Sequence, residues 1–265
     1  NKQPAILSFE PHPRQFFSRD LDRYKIISNS KKIEKLEKLG ISNFFSLKFD
    51  ESIANLSPSE FVSKILVNQL KISRLLVGYN FRFGKNREGN ISFLKDYASI
   101  HGFNVEIIEL VKSKYLNEIY SSSSIRKAIK NKEIEKANKM LGHTWAMEGV
   151  VIHGDKRARE MNFPTANISP HEQIYPAKGV YAIKTQINKQ NYKGIANFGE
   201  RPTISGKKLL LEVHLFDFDQ DIYGNYLTVE FLTFIRDEKK FESFDHLVKQ
   251  ISKDIQIVKN YHLNK

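Results

Sequence analysis

A short segment, GDKRAREMNFPTAN at residues 154–167, combines positive charge with neutral oxygen ligands. Its candidate phosphate-facing residues are Gly154, Lys156, Arg157 and Arg159, because glycine permits close backbone approach and cations pair with phosphate. Thr165 and Asn167 place a hydroxyl and an amide oxygen on one side of an extended chain. Such oxygens suit Mg²⁺ that also binds the phosphates of a nucleotide. From spacing alone, a basic turn before a proline-started strand is favoured, and the segment does not match a Walker A loop.

Glu212 lies in KLLLEVHLFDF, a segment that alternates as a β-strand does. One side would carry Leu209, Leu211, Val213 and Leu215, and the other Leu210, Glu212, His214 and Phe216. A carboxylate between Leu210 and Phe216 makes a usable general base, because desolvation favours its uptake of a proton. The pattern fits a solvent-facing glutamate on an outer barrel face equally well. We interpret His214 as an ordinary polar residue of that face.

The segment IRDEKKF, residues 235–241, closes the last strand before a terminal helix. Arg236, Lys239 and Phe241 offer two cations and an aromatic ring, a set that suits a planar anionic ligand. By pattern alone, an ordinary charged loop is the simpler interpretation.

Three polar loops in the first half each follow a predicted strand. They read FEPHPR (9–14), VGYNFRFGKNREG (77–89) and YSSSSIRKAI (120–129). A serine run before a helix supplies a capping hydroxyl and N–H donors to phosphate, and Arg126 adds a guanidinium. Each loop alone is unremarkable, but their shared position after strand ends indicates a common site.

The elements that position these residues differ between the two halves. In the first half, predicted strands at 5–9, 43–49, 73–78 and 104–111 alternate with predicted helices at 30–39, 58–70 and 91–101. Ser57, Pro58 and Glu60 mark the start of the second helix through an N-cap, a first-turn proline and a capping box. This alternation predicts an α/β domain, a parallel sheet covered by helices.

The second half is predicted to be all-β. Strand patterns at 145–152, 179–187, 192–198, 208–216 and 226–235 are separated by turn formers, and only 243–262 has helical spacing. This half is therefore expected to be an antiparallel barrel or sandwich closed by one helix. Helices within 123–141 would bridge the two halves, and the length of 265 residues fits two domains.

Composition narrows the functional class. The chain has no cysteine and no apolar run of about 20 residues, so we expect no disulfide, no membrane span and a cytoplasmic location. The net charge of +12 is concentrated in residues 1–142, with 25 basic against 15 acidic residues, whereas 143–265 has 17 against 15. Because the lysines are dispersed over helical faces, nucleic-acid binding is not favoured. Oligomeric state is not predicted.

The motifs together resemble the bacterial bifunctional riboflavin kinase/FAD synthetase family. The resemblance rests on FEPHP, VGYNFRFG, SSSSIR, LGHTWAMEGVVIHGDKRAREMNFPTAN, NFGERPT, LEVHLFDFDQDIYG and IRDEKKFESFDHL, in that order. It implies a Rossmann-like nucleotidyltransferase domain at 1–128, a helical connector at 129–142 and a six-stranded antiparallel β-barrel with a terminal helix at 143–265. The implied small molecules are ATP, riboflavin and FMN, with Mg²⁺.

The resemblance also implies residue roles. Thr165 and Asn167 would bind Mg²⁺ and ATP, Glu212 would take the proton of the riboflavin 5′-hydroxyl, and Tyr223 would lie by the nucleotide. Arg236, Lys239 and Phe241 would lie by the flavin. His12, Asn80, Arg82, Ser122, Ser123 and Arg126 would belong to the FMN adenylyltransferase site.

The sequence departs from the family in two places. Ala158-Arg159 and Met161-Asn162 stand where the family has Gly-Arg and Leu-Gly, and we expect altered ATP affinity because Ala158 stiffens the loop. The paired-histidine motif G-x-F-D-G-x-H-x-G-H is absent, so we expect a truncated chain with weak FAD synthesis. The competing hypothesis is a basic barrel that binds nucleic acid without enzymatic activity.

Overall fold

The computed structural model describes residues 2–18, 23–113, 118–152, 165–170, 172–203 and 206–263, with the backbone alone at 202, 203 and 206–208. Contacts divide the chain into two compact units. The first comprises Asn1–Asp22 and Ile33–Tyr120, and the second comprises Arg23–Lys32 and Ser121–Lys265. None of the described helices is long and apolar enough to cross a membrane.

The first unit has the predicted alternation of strands and helices. Its strands are β1 (Ala5–Glu10), β2 (Asn43–Lys48), β3 (Arg74–Gly78) and β4 (Asn104–Ile108). Its helical segments are α1 (Pro13–Phe17), α3 (Glu51–Ala54), α4 (Pro58–Glu60, continuing as a π-helix over Phe61–Gln69) and α5 (Ile91–His101), while α2 (Asn29–Lys38) begins in the other unit. Strands β1 and β2 form one parallel pair and β3 and β4 another; within the described residues, no ladder joins the pairs.

The helix that begins at Pro58 anchors the core of this unit. The Ser57 hydroxyl accepts from the Glu60 N–H at 3.2 Å, and the Glu60 carboxylate accepts from the Ser57 N–H at 3.0 Å. This is the predicted capping box, which satisfies two N–H groups that the helix start leaves open. Phe61 and Leu66 of the same helix are buried with Val77 of β3, so the helix covers the strand as predicted.

The second unit is a closed antiparallel barrel, which confirms the predicted fold class. Its strands are β5 (Ala146–Ile152), β6 (Ala166–Ile168), β7 (Gly179–Ile187), β8 (Gln190–Thr203), β9 (Gly206–Leu215) and β10 (Tyr226–Arg236), and its helices are α6 (Ser122–Lys130), α7 (Ile134–Leu141) and α8 (Phe244–Leu263). The strand order is β10-β5-β6-β9-β8-β7, and pairing of β7 with β10 closes the barrel.

Helix α8 packs on the outer face of the barrel. Ile255 and Val258 are buried against Val180 and Ile195, the outward residues of β7 and β8. Phe244, in the first turn of α8, is 56% exposed because it lies ahead of the buried stretch of the helix.

A segment from the first half of the sequence, Arg23–Lys32, belongs to the second unit, and we call it the strap. Lys25 forms a parallel bridge to Gln173, and its carbonyl accepts from the Ile174 N–H at 2.8 Å. The buried Trp145 indole N–H donates to the Ile26 carbonyl at 2.8 Å. These contacts hold the strap beside the loop that follows β6. The predicted limits 1–128, 129–142 and 143–265 stay predictions, since the compact units follow contacts rather than chain order.

Candidate active site

Three polar residues form a row across three neighbouring barrel strands. Asn167 of β6 and Asn197 of β8 both lie directly opposite Glu212 of β9. Opposed residues of an antiparallel ladder share a face, so their side chains lie side by side. Leu211 and Val213 are buried inside the barrel, whereas the Glu212 side chain is 26% exposed. The predicted alternation along β9 is confirmed, and the row lies on the outer face.

Glu212 has a cationic partner that its strand pattern could not reveal. The Arg201 Nε donates to Glu212 Oε1 at 2.7 Å, and Nη2 donates to Oε2, which makes a bidentate pair. The hydrogen bond to Glu212 raises the pKa of Arg201, against the opposing effect of burial. The expected apolar setting between Leu210 and Phe216 is therefore incomplete, because a guanidinium from β8 reaches the carboxylate.

A second carboxylate approaches the same guanidinium. Glu238 Oε1 lies 3.6 Å from Arg201 Nη1. Gly199 lies under Glu238, and a Cβ at this glycine would overlap the carboxylate, so this approach requires glycine. Asn197 is best oriented with its amide oxygen 2.5 Å from Arg201 Nη2 and its nitrogen 3.3 Å from the Gly179 carbonyl. Arg201 thus contacts Glu212, Asn197 and Glu238, although sequence reasoning gave no role to Arg201, Asn197 or Glu238.

Asn167 and Thr165 offer the oxygen ligands expected of a Mg²⁺ site. Asn167 is only 6% exposed, and among the described residues none forms a hydrogen bond with its side-chain amide. Thr165 directly precedes β6. An uncommitted amide oxygen beside the Glu212 carboxylate fits a hard cation that keeps waters and phosphate oxygens as further ligands. The described residues contain no cluster of three or more His, Asp or Glu side chains that could hold a metal alone.

The loop that carries Tyr223 is fastened to the end of β5. The Gly224 N–H donates to the Val151 carbonyl at 2.9 Å, and the Val151 N–H donates to the Asn225 carbonyl at 2.9 Å. Ile152, the next residue, is opposite Asn167. Tyr223 therefore belongs to a turn at the same end of the barrel as Asn167. The predicted phosphate-facing residues Gly154, Lys156, Arg157 and Arg159 lie outside the described residues, as do Ala158 and Asn162.

Of the residues predicted to lie near a planar ligand, Arg236 is held by other side chains, whereas Lys239 is exposed. The Arg236 Nη2 donates to Asp254 Oδ2 at 2.7 Å, and Nε contacts both carboxylate oxygens of this almost fully buried aspartate. Arg236 is therefore committed to α8, although its guanidinium carbon also lies 6.0 Å from the Phe241 ring centroid. Lys239 is exposed in the loop between them.

The predicted residues of the first half fall into both units. His12, Asn80 and Arg82 are exposed in the first unit, where the His12 Nδ1 caps α1 by accepting from the Arg14 N–H at 3.1 Å. Ser122, Ser123 and Arg126 belong to the second unit, in α6.

Helix α6 is capped by a serine as expected, but by Ser121, whose hydroxyl accepts from the Ser124 N–H at 3.0 Å. The Arg126 Nε donates to the Tyr24 carbonyl at 2.9 Å, and its guanidinium stacks 3.6 Å from the centre of the Tyr24 ring. Arg126 thus binds the strap, a role that its position in the serine motif did not indicate.

Comparison with known families matches each half separately. The family described as FAD synthetase matches residues 1–124, and the family described as riboflavin kinase matches residues 141–262. The two family matches fall on the parallel α/β unit and on the closed barrel. Together they define a two-domain enzyme of the transferase class.

Curated relatives match over nearly the whole chain. The bifunctional riboflavin kinase/FMN adenylyltransferase of Haemophilus influenzae is 41% identical, covering 98% of this chain and 84% of the relative. The proteins of the same description from Bacillus subtilis and Escherichia coli K12 are 35% and 34% identical, with coverage of 98% and 96% of this chain and 83% and 81% of the relatives. The chain belongs to the bifunctional riboflavin kinase/FMN adenylyltransferase family.

A solved structure supports the same fold. A crystal structure described as a macrolide-efflux protein from Streptococcus pneumoniae is 30% identical and superposes with a TM-score of 0.85. It covers 97% of this chain and 84% of that chain. The similarity extends through both units.

Proposed function

We propose that the barrel of this chain is a riboflavin kinase that makes FMN from riboflavin and ATP. The observation that carries the proposal is the opposition of Asn167 and Glu212, which sets a neutral oxygen ligand beside a carboxylate on one outer face. Family membership supports it, because the curated relatives are described as riboflavin kinases and FMN adenylyltransferases. The Tyr223 turn at the same barrel end would lie by the nucleotide.

In the proposed reaction, Glu212 accepts the proton of the riboflavin 5′-hydroxyl. The hydroxyl oxygen forms a bond to the γ-phosphorus of ATP, the bond from that phosphorus to the bridging oxygen breaks, and ADP leaves. A primary alcohol is a poor nucleophile, so a correctly placed carboxylate contributes about 10²–10⁴-fold. The proton on Glu212 then passes to solvent.

Thr165 and Asn167 would hold the Mg²⁺ of the Mg·ATP complex, with Gly154, Lys156, Arg157 and Arg159 facing the phosphates. When bound, the cation neutralises phosphate charge. Lys239 and Phe241 would contact the flavin, and Arg236 would orient their loop through Asp254. In this proposal, the acceptor hydroxyl would lie between the base and the nucleotide.

The second family activity, transfer of AMP from ATP to FMN, is proposed for the first half. His12, Asn80 and Arg82 of the first unit stay predicted ligands, and the roles of Ser122, Ser123 and Arg126 in this activity stay predictions. Weak FAD synthesis stays a prediction. The predicted small-molecule partners are ATP, riboflavin and FMN, while a cytoplasmic location stays a prediction.

One incubation tests the kinase proposal. Purified protein is mixed with riboflavin, ATP and Mg²⁺, and the products are separated by chromatography. FMN with little FAD is the expected result, and folded protein that forms neither product contradicts the proposal. Binding of nucleic acid that weakens steeply with salt, without any response to riboflavin, would favour the basic-barrel hypothesis instead.

A further inference from the structure

Each of the three guanidinium nitrogens of Arg201 donates to a neighbouring acceptor. A guanidinium carries five N–H groups in a planar fork. Nε and Nη2 bind the two oxygens of Glu212, and Nη2 also faces the Asn197 amide oxygen. Nη1 donates to the Glu200 carbonyl at 3.0 Å and lies 3.6 Å from the Glu238 carboxylate. The guanidinium is therefore fixed in one orientation before any substrate arrives.

This orientation fixes Glu212 in turn. A carboxylate has about four lone-pair sites, and a bidentate pair uses one on each oxygen, which leaves others for a substrate proton. The pair is partly exposed, with 32% of the Arg201 and 26% of the Glu212 side chain accessible. Arg201 therefore restricts rotation of the proposed base without covering it.

Glu238 extends the contact to the loop proposed to bind the flavin. This residue immediately precedes Lys239, and Gly199 leaves the space in which its carboxylate meets Arg201. Asp237, on its other side, pairs with Lys132, so the beginning of the loop is held at two successive residues. Movement of this loop would change the contact between Glu238 and Arg201.

We infer that Arg201 is a positioning residue that aligns Glu212 with the acceptor hydroxyl and links it to Glu238 of the flavin-side loop. The inference rests on the proposed kinase function. Because Arg201 acts through the base, its loss lowers turnover while leaving substrate affinity largely intact. Lysine keeps the charge but not the planar fork, so it restores only part of the alignment.

The first test compares steady-state kinetics of R201Q, R201K and a matched control, K184Q. Lys184 forms a cross-strand ion pair with Glu230 at 3.0 Å on the same barrel, away from the proposed base. We expect kcat for FMN formation to fall about 10–100-fold in R201Q, with KM for riboflavin and ATP within about threefold. R201K should lie between wild type and R201Q, and K184Q should match wild type.

The second test is the double variant R201Q/E212Q. If Arg201 acts through Glu212, the double variant is no slower than E212Q, because groups acting as a unit are not additive. Multiplied losses, or an R201Q with wild-type kcat, overturn the inference while the kinase function stands. Wild-type protein that forms no FMN overturns the proposed function, and the inference with it. Should R201Q fail to fold by circular dichroism, R201K decides, and a wild-type kcat there is the contrary result.

Discussion

Asn167 and Glu212 are directly opposed on the antiparallel strands β6 and β9. This relationship sets an almost buried amide without a described hydrogen-bond partner beside a carboxylate paired with Arg201. Two side chains with distinct proposed tasks, metal binding and proton transfer, thus share one face and one level of the barrel.

Replacing Glu212 by glutamine should lower kcat for FMN formation about 10²–10⁴-fold, because an amide cannot accept the hydroxyl proton. Riboflavin binding, measured by fluorescence quenching with Mg·ADP present, should persist because the side-chain shape is kept. The control is Glu230→Gln, a glutamate of β10 that pairs with Lys184. Equal turnover in the two variants would remove Glu212 from the role of base.

Replacing Asn167 by alanine should weaken the response to Mg·ADP, because one proposed oxygen ligand is lost. Ligand at about 100 times its Kd stabilises a folded protein by about 2.7 kcal/mol, so wild type should melt at a higher temperature with Mg·ADP. Most of this increase should disappear in Asn167→Ala. The control Asn191→Ala changes an exposed asparagine at the start of β8, opposite Gln186 of β7. A full increase in Asn167→Ala would argue against the proposed ligand.

Replacing Asp254 by alanine should destabilise the second unit by about 3–5 kcal/mol, since removing one partner of a buried ion pair leaves the other uncompensated. Asp254 accepts from both Arg236 and Gln250. Urea unfolding followed by Trp145, the single tryptophan, reports on this unit. Glu230→Ala, which breaks a partly exposed pair, should change stability by at most about 1 kcal/mol. Similar losses in both variants would show that Arg236 is not chiefly structural.

The free energy of unfolding should decrease as pH falls below about 6.5, in part because of His262. Burial lowers the pKa of His262, and Lys193 and Lys184 lower it further. As pH falls, the unfolded chain therefore binds a proton at His262 before the folded chain does. The stabilisation that is present above the pKa of the unfolded chain is lost as pH falls through the lower pKa of the folded chain. In His262→Gln, the urea midpoint of unfolding should change less between pH 7.5 and pH 5 than it does in the control His246→Gln, which alters an exposed residue of the same helix. Parallel pH curves would contradict this assignment.

Local rules predicted the elements well. The capping box at Ser57 and the alternation around Glu212 could be predicted from the sequence because both depend on residues a few positions apart. The position of Arg201 was not visible, because only the pairing of β8 with β9 brings it to the base. The burial of Asp254 likewise depends on how α8 meets Arg236. Contacts that depend on strand register or on the packing of a helix against the barrel cannot be predicted from the periodicity and spacing of the sequence.

The strap was equally hidden from the sequence. Trp145 meets Ile26 and Gln173 meets Lys25 across most of the first unit's sequence. Neither end of these contacts has a pattern that specifies the other. By contrast, the family resemblance identified both halves of the chain. It depends on short motifs in the order of the sequence, and these need no knowledge of contacts between distant residues.

The strap separates the order of synthesis from the order of assembly. Residues 23–32 leave the ribosome before all of 33–120, yet their docking partners at Trp145 and Gln173 come later still. Domains usually fold as they emerge, so this strap must remain undocked while the surrounding unit is made. The chain passes between its two units three times, and no single proteolytic cut would release the barrel with its strap attached.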